Sequence, residues 1–289
     1  MKISMNGRMV DEKKATVSVL DHGLLYGDGV FEGLRVYNNK IFTLDRHIDR
    51  LFRSAKALAL EIPRTREELV ADVIRICKAN KVSNGYIRLV VTRGVGTLGL
   101  NPFTCKQPQV VIIAAGIQLY PPEAYKKGLS MVTVGTRRNN PEALNPGIKS
   151  LNYLNNILAK IEAINAGVPE CVMLNHEGFV AEATGDNIFA VKGDTLVTPP
   201  IWCGILAGIT REVVMELGRE LGYTVVENVM TRYDLYTADE VFLTGTAAEI
   251  IGVGTIDSRA IGRGRPGPVT KRLAERFHAY TQEDGTPIP

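Results

Sequence analysis

Apolar and polar positions change rhythm several times along the chain, and each change marks an element. Residues 2–10 alternate around Asn6-Gly7, a dipeptide suited to a two-residue hairpin because both positions tolerate positive φ. Residues 30–37 and 40–44 flank Asn38-Asn39 and predict a second hairpin. From 46 to 60 the period lengthens to that of a helix, with Leu44, Ile48, Leu51, Phe52, Ala55 and Leu58 on one face. Thr65-Arg-Glu-Glu68 reads as a capping box opening a second helix over 67–80. Strands follow over 85–93 and 109–117, split by a loop that begins Gly94-Val-Gly-Thr-Leu-Gly99. Two helices on one small sheet predict an α+β domain over residues 1–118.

Residues 119–128, with Tyr120-Pro-Pro-Glu123, predict an interdomain connection. Beyond it the pattern predicts a strand over 129–136, a helix over 152–166, and strands over 170–175 and 186–191. A helix opens at Ile209-Thr210-Arg211; a strand over 224–229, a short helical turn near Asp234 and a strand over 240–244 follow, then a last helix over 268–280. Many short strands separated by turns predict a larger, barrel-like mixed domain over 129–289 rather than a doubly wound sheet. No Gly-x-Gly-x-x-Gly follows a strand and opens a helix, and Gly204-Ile-Leu-Ala-Gly208 lacks a P-loop lysine.

Composition narrows the class without choosing within it. The 289 residues are 45% hydrophobic and 22% charged, the balance of a soluble globular protein. The N-terminus lacks the apolar core of a signal peptide, and no apolar run is long enough for a membrane span. Cys77, Cys105, Cys171 and Cys203 lie far apart, which predicts reduced thiols in a cytoplasmic protein and no metal site by spacing. A net charge of +3 with scattered basic residues predicts no nucleic-acid face.

Four features could carry chemistry. Asn145-Pro-Gly-Ile-Lys149-Ser-Leu-Asn-Tyr153 places a lysine on an irregular lead-in to a helix, since Pro146 and Gly147 are poor in a helix interior. Most lysines are solvated surface groups, so Lys149 counts only in company. Glu182 sits among small residues between apolar strands and demands a cationic or N–H partner if buried. Leu206-Ala-Gly-Ile209-Thr210 and Thr244-Gly-Thr246-Ala247 are small, hydroxyl-bearing turns suited to an anion or simply to caps. Tyr86, Arg88 and Val90 share one strand face, as do Phe31, Gly33, Arg35 and Tyr37. Arginine among aromatics suits a planar carboxylate, although an exposed sheet face would also carry it. A lysine, an acid, phosphate turns and carboxylate-binding arginines together suit pyridoxal phosphate: the lysine forms a Schiff base and the acid keeps the pyridine nitrogen protonated.

The ordered set Tyr26-Gly-Asp-Gly-Val-Phe-Glu-Gly-Leu-Arg35, His47-Ile-Asp-Arg50, Tyr86-Ile-Arg88, Lys149-Ser-Leu-Asn-Tyr153, Glu182-Ala-Thr-Gly-Asp-Asn187, Gly208-Ile-Thr-Arg211 and Gly245-Thr-Ala-Ala-Glu249 resembles the class IV, or fold-type IV, pyridoxal-phosphate aminotransferases. Within them it looks most like the branched-chain amino-acid enzymes, over essentially the whole chain. The resemblance implies a two-domain α+β fold like that of D-amino-acid aminotransferase. It implies Lys149 as the Schiff-base lysine and general base, Glu182 as the partner of the pyridine nitrogen, and Tyr153 as donor to the ring O3′. Arg50, Ile209, Thr210 and Thr246 would hold the phosphate, with Leu206 also at the cofactor. Tyr26, Phe31, Gly33, Tyr86, Arg88 and Ala247 would line the substrate site. Beyond the resemblance, Arg35, Leu100 and Thr246 are added to that site, and because glutamate's second carboxylate needs its own donors, Arg35 and Tyr26 are the candidates for it. A homodimer or a higher even-numbered homo-oligomer is implied, with Tyr26 and the loop ending at Leu100 reaching across to the partner. The substrates implied are leucine, isoleucine and valine with 2-oxoglutarate. The Lys149–Tyr153 spacing looks more like the D-amino-acid branch, which bears on the role of Tyr153. Phe31-Glu-Gly33-Leu-Arg35 and the Tyr86/Arg88 pair favour branched-chain transamination; D-amino-acid transamination is the runner-up, an aminodeoxychorismate lyase third, and a non-catalytic binding protein the alternative from another class.

Overall fold

The computed structural model describes residues 1–117 and 119–289. It divides into two compact units. The first holds Met1–Ile117, Ile148–Asn152 and Thr281–Pro289, and the second Gln118–Gly147 and Tyr153–Tyr280. The domain end expected at residue 118 lies outside the described residues. Two short stretches from beyond residue 129 thus return to the first unit, one of them carrying Lys149.

In the first unit, β1 (Lys2–Met5) and β2 (Arg8–Asp11) form the expected hairpin, with Asn6 at φ 49° and Gly7 at φ 77°. A helix that the pattern did not announce, α1 (His22–Tyr26), is capped by Asp21, whose side chain accepts from the Gly23 N–H. β3 (Gly29–Tyr37) turns through Asn38 and Asn39, both at positive φ, into β4 (Lys40–Ile41). β4 is shorter than expected because Thr43 takes φ 49° and Leu44 already begins α2 (Leu44–Ala57). α3 (Arg66–Ala79) carries the expected capping box, Thr65 and Glu68 each bonding the other's backbone N–H. β5 (Gly85–Thr92) and β6 (Gln109–Ala115) follow. The sheet runs from the C-terminal strand Thr286–Pro287 through β4, β3, β5, β6 and β1 to β2. Its pairings are all antiparallel. Leu34, Val36, Ile87, Leu89 and Ile112 of the sheet pack on Leu44, Ile48, Leu51 and Ile76 of α2 and α3. Each such side chain stabilises by about 1.5–3 kcal/mol relative to exposure. The period of two puts Phe31, Gly33, Arg35, Tyr86 and Arg88 on the opposite face.

The second unit begins with α4 (Pro122–Lys127), where a plain connection was expected. Tyr120, Ala124 and Tyr125 pack on its core. In order come β7 (Leu129–Thr133), α5 (Leu154–Asn165), β8 (Glu170–Leu174), β9 (Val180–Glu182), β10 (Asn187–Lys192), β11 (Thr195–Thr198), α6 (Ile209–Glu220), β12 (Thr224–Glu227), α7 (Arg232–Tyr236), β13 (Glu240–Gly245), β14 (Glu249–Ile256), β15 (Arg259–Ala260) and α8 (Pro268–Glu283). The mixed sheet runs β12, β11, β10, β13, β14, β7, β8, β9, with β15 beside β14. The pairs β11–β12, β14–β7 and β7–β8 are parallel. β8 is buried on both faces: Val172 and Leu174 join the main core, while Cys171 and Met173 pack with Ala159 and Ala163 of α5. α5 therefore turns its small residues inward and leaves Leu154, Ile157, Leu158 and Ile161 exposed. Among the described residues no helix is long and apolar enough to cross a membrane.

Candidate active site

The lysine segment is tied into the first unit as an extra, short strand. Phe31 N–H donates to Lys149 O at 3.0 Å, Leu151 N–H donates to Gly29 O at 2.9 Å, and Val30 bridges Ser150. Gly29 is required by this approach, since a Cβ there would lie 2.5 Å from Val91 O and 2.6 Å from Leu151 Cδ1. Lys149 N–H donates to Ser54 Oγ of α2 at 3.1 Å. The side chain is half-buried, with Nζ 4.6 Å from the centroid of the Phe31 ring. It is not the solvated surface lysine that is the common case.

Arg88 meets the same ring: its Cζ lies 4.5 Å from the Phe31 centroid and 5.5 Å from that of Tyr86. Gly33 faces Arg88 across the sheet, and the Tyr86 phenol lies over it, where a Cβ would come within 1.8 Å of Oη. Arg35 is half-buried, with Cζ 5.0 Å from the Tyr37 ring centroid. Tyr26 is 38% exposed and makes an edge contact with His22, while Leu100 stands 82% exposed. Lys149, Phe31, Gly33, Tyr86 and Arg88 are thus gathered within the first unit. Asp28, within the Tyr26-Gly-Asp motif, is structural: Arg93 clasps its carboxylate at 2.9 and 3.0 Å and caps the Leu58 and Ala59 carbonyls that follow α2.

Arg50 is buried on the inner side of α2, not on the polar side of its helix. Its Nε donates to Glu32 Oε1 at 2.7 Å and its Nη2 to Oε2 at 2.8 Å, while His47 Nδ1 lies 2.7 Å from Oε2. Burial alone would raise the Glu32 carboxyl, but the Arg50 guanidinium and then His47 outweigh it and hold the group far below the usual carboxylate range. Burial lowers His47, helped by the Arg50 and Lys149 charges and opposed by Glu32. Sequence reasoning gave Glu32 and His47 no role.

In the second unit Glu182 ends β9, buried, and takes the cationic partner it demanded. Arg138 Nε donates to Oε1 at 2.8 Å, while Asn187 Nδ2 and Leu206 N–H donate to Oε2 at 3.1 and 3.0 Å. Arg138, also missed, is itself fixed by Asn155 at 3.0 Å and Asn156 at 3.3 Å. Asn187 Nδ2 reaches on to Leu206 O at 2.9 Å. Ile209 and Thr210 are buried in the first turn of α6, whose N-cap, Gly208, offers no side-chain cap. Arg211 turns away to Glu227 and the Pro199 carbonyl. Thr246 and Ala247 are half-buried in the turn from β13 to β14, and Tyr153 is the half-buried N-cap of α5.

The family model for amino-transferase class IV matches residues 29–256. A putative branched-chain-amino-acid aminotransferase of Methanocaldococcus jannaschii is 54% identical over 277 residues, 96% of this chain and 95% of the relative. The branched-chain-amino-acid aminotransferase of Pseudomonas aeruginosa is 38% identical, over 94% of this chain and 90% of its own. Among solved structures, the branched-chain aminotransferase of Escherichia coli is similar with a TM-score of 0.94 at 36% identity, covering 96% of this chain and 93% of that one. The branched-chain amino acid aminotransferase of Thermobaculum terrenum, in its PLP-bound holo form, is similar with a TM-score of 0.89 at 33% identity, covering 98% and 94%.

Proposed function

The chain belongs to the class IV aminotransferases, and from that membership we propose that it exchanges amino groups between the branched-chain L-amino acids and 2-oxoglutarate, with pyridoxal 5′-phosphate as cofactor. The products are the branched-chain 2-oxo acids and L-glutamate. The observation that carries the reading is that Lys149 Nζ and Arg88 Cζ lie 4.6 and 4.5 Å from the centroid of one phenylalanine ring, Phe31. An amine for amino-group chemistry and a guanidinium for the α-carboxylate are thereby set around one apolar surface.

The donor set suits the cofactor. A buried carboxylate with fixed partners, Glu182, would pair with the pyridine nitrogen. The uncapped first turn of α6 at Ile209 and Thr210, with Thr246 and Arg50, would hold a phosphate. Tyr153 would donate to the ring O3′, and Leu206, whose N–H already holds Glu182, would flank the ring. When bound, the cofactor supplies an aldehyde that takes up an amino group and a ring that accepts the electron pair freed at the substrate Cα. Lys149 Nζ removes the Cα proton from the donor amino acid in one half-reaction and returns a proton to Cα of the acceptor in the other. Arg88, with Tyr86 beside it, binds the α-carboxylate in both. Phe31 forms an apolar wall beneath Gly33, with Ala247 and Thr246 assigned to the same site. Such a wall separates side chains differing by one methylene by only about 1–3 kcal/mol, so leucine, isoleucine and valine all react. Arg35 and Tyr26 read glutamate's second carboxylate.

A homodimer belongs to this reading, supported by the exposed stripe Leu154, Ile157, Leu158 and Ile161 on α5 and by exposed Leu98, Leu100 and Phe103. A monomeric mass by light scattering removes it. Four free, buried cysteines suit the cytoplasm. The deciding assay offers L-leucine, L-isoleucine, L-valine and D-alanine with 2-oxoglutarate and follows glutamate, with borohydride reduction mapping the cofactor to its lysine. Preference for D-alanine, or a label on a lysine other than Lys149, sinks the corresponding part.

A further inference from the structure

The arginine assigned to the phosphate does not stand by itself. α2 turns His47, Arg50 and Ser54 into the interior of the first unit, one helical turn after another. Glu32 comes to meet them from β3, on the helix-covered face that also carries Val30, Leu34 and Val36. Its carboxylate is fully buried and takes the Nε–Nη2 edge of Arg50 at 2.7 and 2.8 Å and His47 Nδ1 at 2.7 Å. One turn beyond Arg50, Ser54 Oγ accepts the main-chain N–H of Lys149. A single helix therefore holds both the guanidinium and the lysine backbone, and one acid of the neighbouring strand fixes the guanidinium.

We propose that Glu32 is a positioning residue for the cofactor phosphate: by clamping one edge of Arg50 it sets the guanidinium plane before the phosphate arrives. The inference rests on the pyridoxal-phosphate reading above. Two effects of Glu32 oppose each other. Its negative charge beside Arg50 weakens the pull on a phosphate. Its two hydrogen bonds order a long, rotamer-rich side chain in advance, so that binding need not bear that ordering. Ordering dominates here because a buried guanidinium without its acid would leave the interior for water, taking its charge away from the ligand. His47 supports the clamp from the preceding turn of α2, its Nδ1 holding Glu32 Oε2 at 2.7 Å. A purely structural ion pair would affect folding and leave phosphate recognition alone.

The test is equilibrium binding to apoenzyme by calorimetry, with pyridoxamine 5′-phosphate and with pyridoxamine, which lacks the phosphate. Neither ligand depends on turnover. Glu32→Gln is expected to weaken pyridoxamine 5′-phosphate at least tenfold, about 1.4 kcal/mol, and leave pyridoxamine unchanged. Combined with Arg50→Gln it should cost no more than Arg50→Gln alone, because both act through one guanidinium. Glu32→Asp, which keeps the charge but draws it back by one methylene, should lose less. If Glu32→Gln does not fold, Glu32→Asp must still show a threefold loss confined to the phosphorylated ligand. Unchanged or tighter phosphate binding, or equal losses for both ligands, overturns the role of Glu32. Wild-type protein that does not bind pyridoxamine 5′-phosphate would instead remove the cofactor reading itself.

Discussion

Replacing Gly33 by alanine would test the substrate role proposed for the Gly33, Tyr86 and Arg88 cluster by displacing the Tyr86 phenol. A Cβ at Gly33 would lie 1.8 Å from Tyr86 Oη, 2.6 Å from Cζ and 3.1 Å from Cε2. Ordinary van der Waals contact begins near 3.4 Å, so the phenol must retreat by about 3.4 − 1.8 = 1.6 Å. It can do so at small cost to the fold, because the hydroxyl is the far end of a half-buried side chain on the face without helices. Gly33 is not at positive φ, so alanine fits its backbone and removes unfolded-state freedom, a gain of about 0.4–1 kcal/mol. Stability should stay close to wild type. Binding should not: misplacing a substrate-positioning group by 1 Å costs on the order of 100-fold. Arg88, stacked beside Tyr86, loses its neighbour in the same step. The assay is kcat/KM for L-leucine with 2-oxoglutarate, alongside thermal unfolding. A fall of about 100-fold with an unchanged midpoint is expected. Turnover within twofold of wild type would remove Tyr86 from the α-carboxylate, and a collapsed midpoint would show that the phenol cannot yield.

Glu182→Gln should retain cofactor yet lose orders of magnitude in kcat, because a neutral pyridine is a poorer electron sink. The amide also turns an N–H₂ toward Arg138, Asn187 or Leu206 N–H, all donors, so the unfolding midpoint should fall as well, by the equivalent of about 3–5 kcal/mol for a broken buried pair; full turnover in this variant would make Glu182 structural only. Arg35→Ala should impair glutamate far more than leucine, and equal losses for both would end its assignment to the second carboxylate. Acid should destabilise the first unit in two stages. His47 and Glu32 are both lowered in the folded state, so the unfolded chain binds the extra protons as pH falls, and stability present at pH 7 is lost, first below about 6.5 for His47 and then below about 4.5 for Glu32. An unfolding midpoint that stays flat or rises from pH 7 to pH 4 would contradict that sign.

What could be read in advance was mostly local. Asn6-Gly7, Asn38-Asn39 and Thr65–Glu68 each specify a turn or cap within four residues, and each forms. β9, β11 and β14 escaped notice: the first two are three and four residues long, and Gly252 and Gly254 interrupt the alternation of the third. The site divides in the same way. Pro146 and Gly147 marked the irregular lead-in to Lys149 without any knowledge of its neighbours. The partners of the buried acids are set by tertiary contact, with Arg138 44 residues before Glu182 and Arg50 18 residues after Glu32. One of these pairs still left a trace. Glu32 occupies an inward position of β3 among Val30, Leu34 and Val36, and Arg50 an inward position of α2 beside Ile48 and Leu51. Burying either charge alone costs several kcal/mol, so an acid at a core position of a strand and a base at a core position of the next helix must find each other. Periodicity alone could not put Arg50 on the inward side of its helix, so the pairing of Glu32 with Arg50 is read from the structure. The same rule cannot reach Arg138, because the residues around it belong to no strand or helix whose period would mark an inward position.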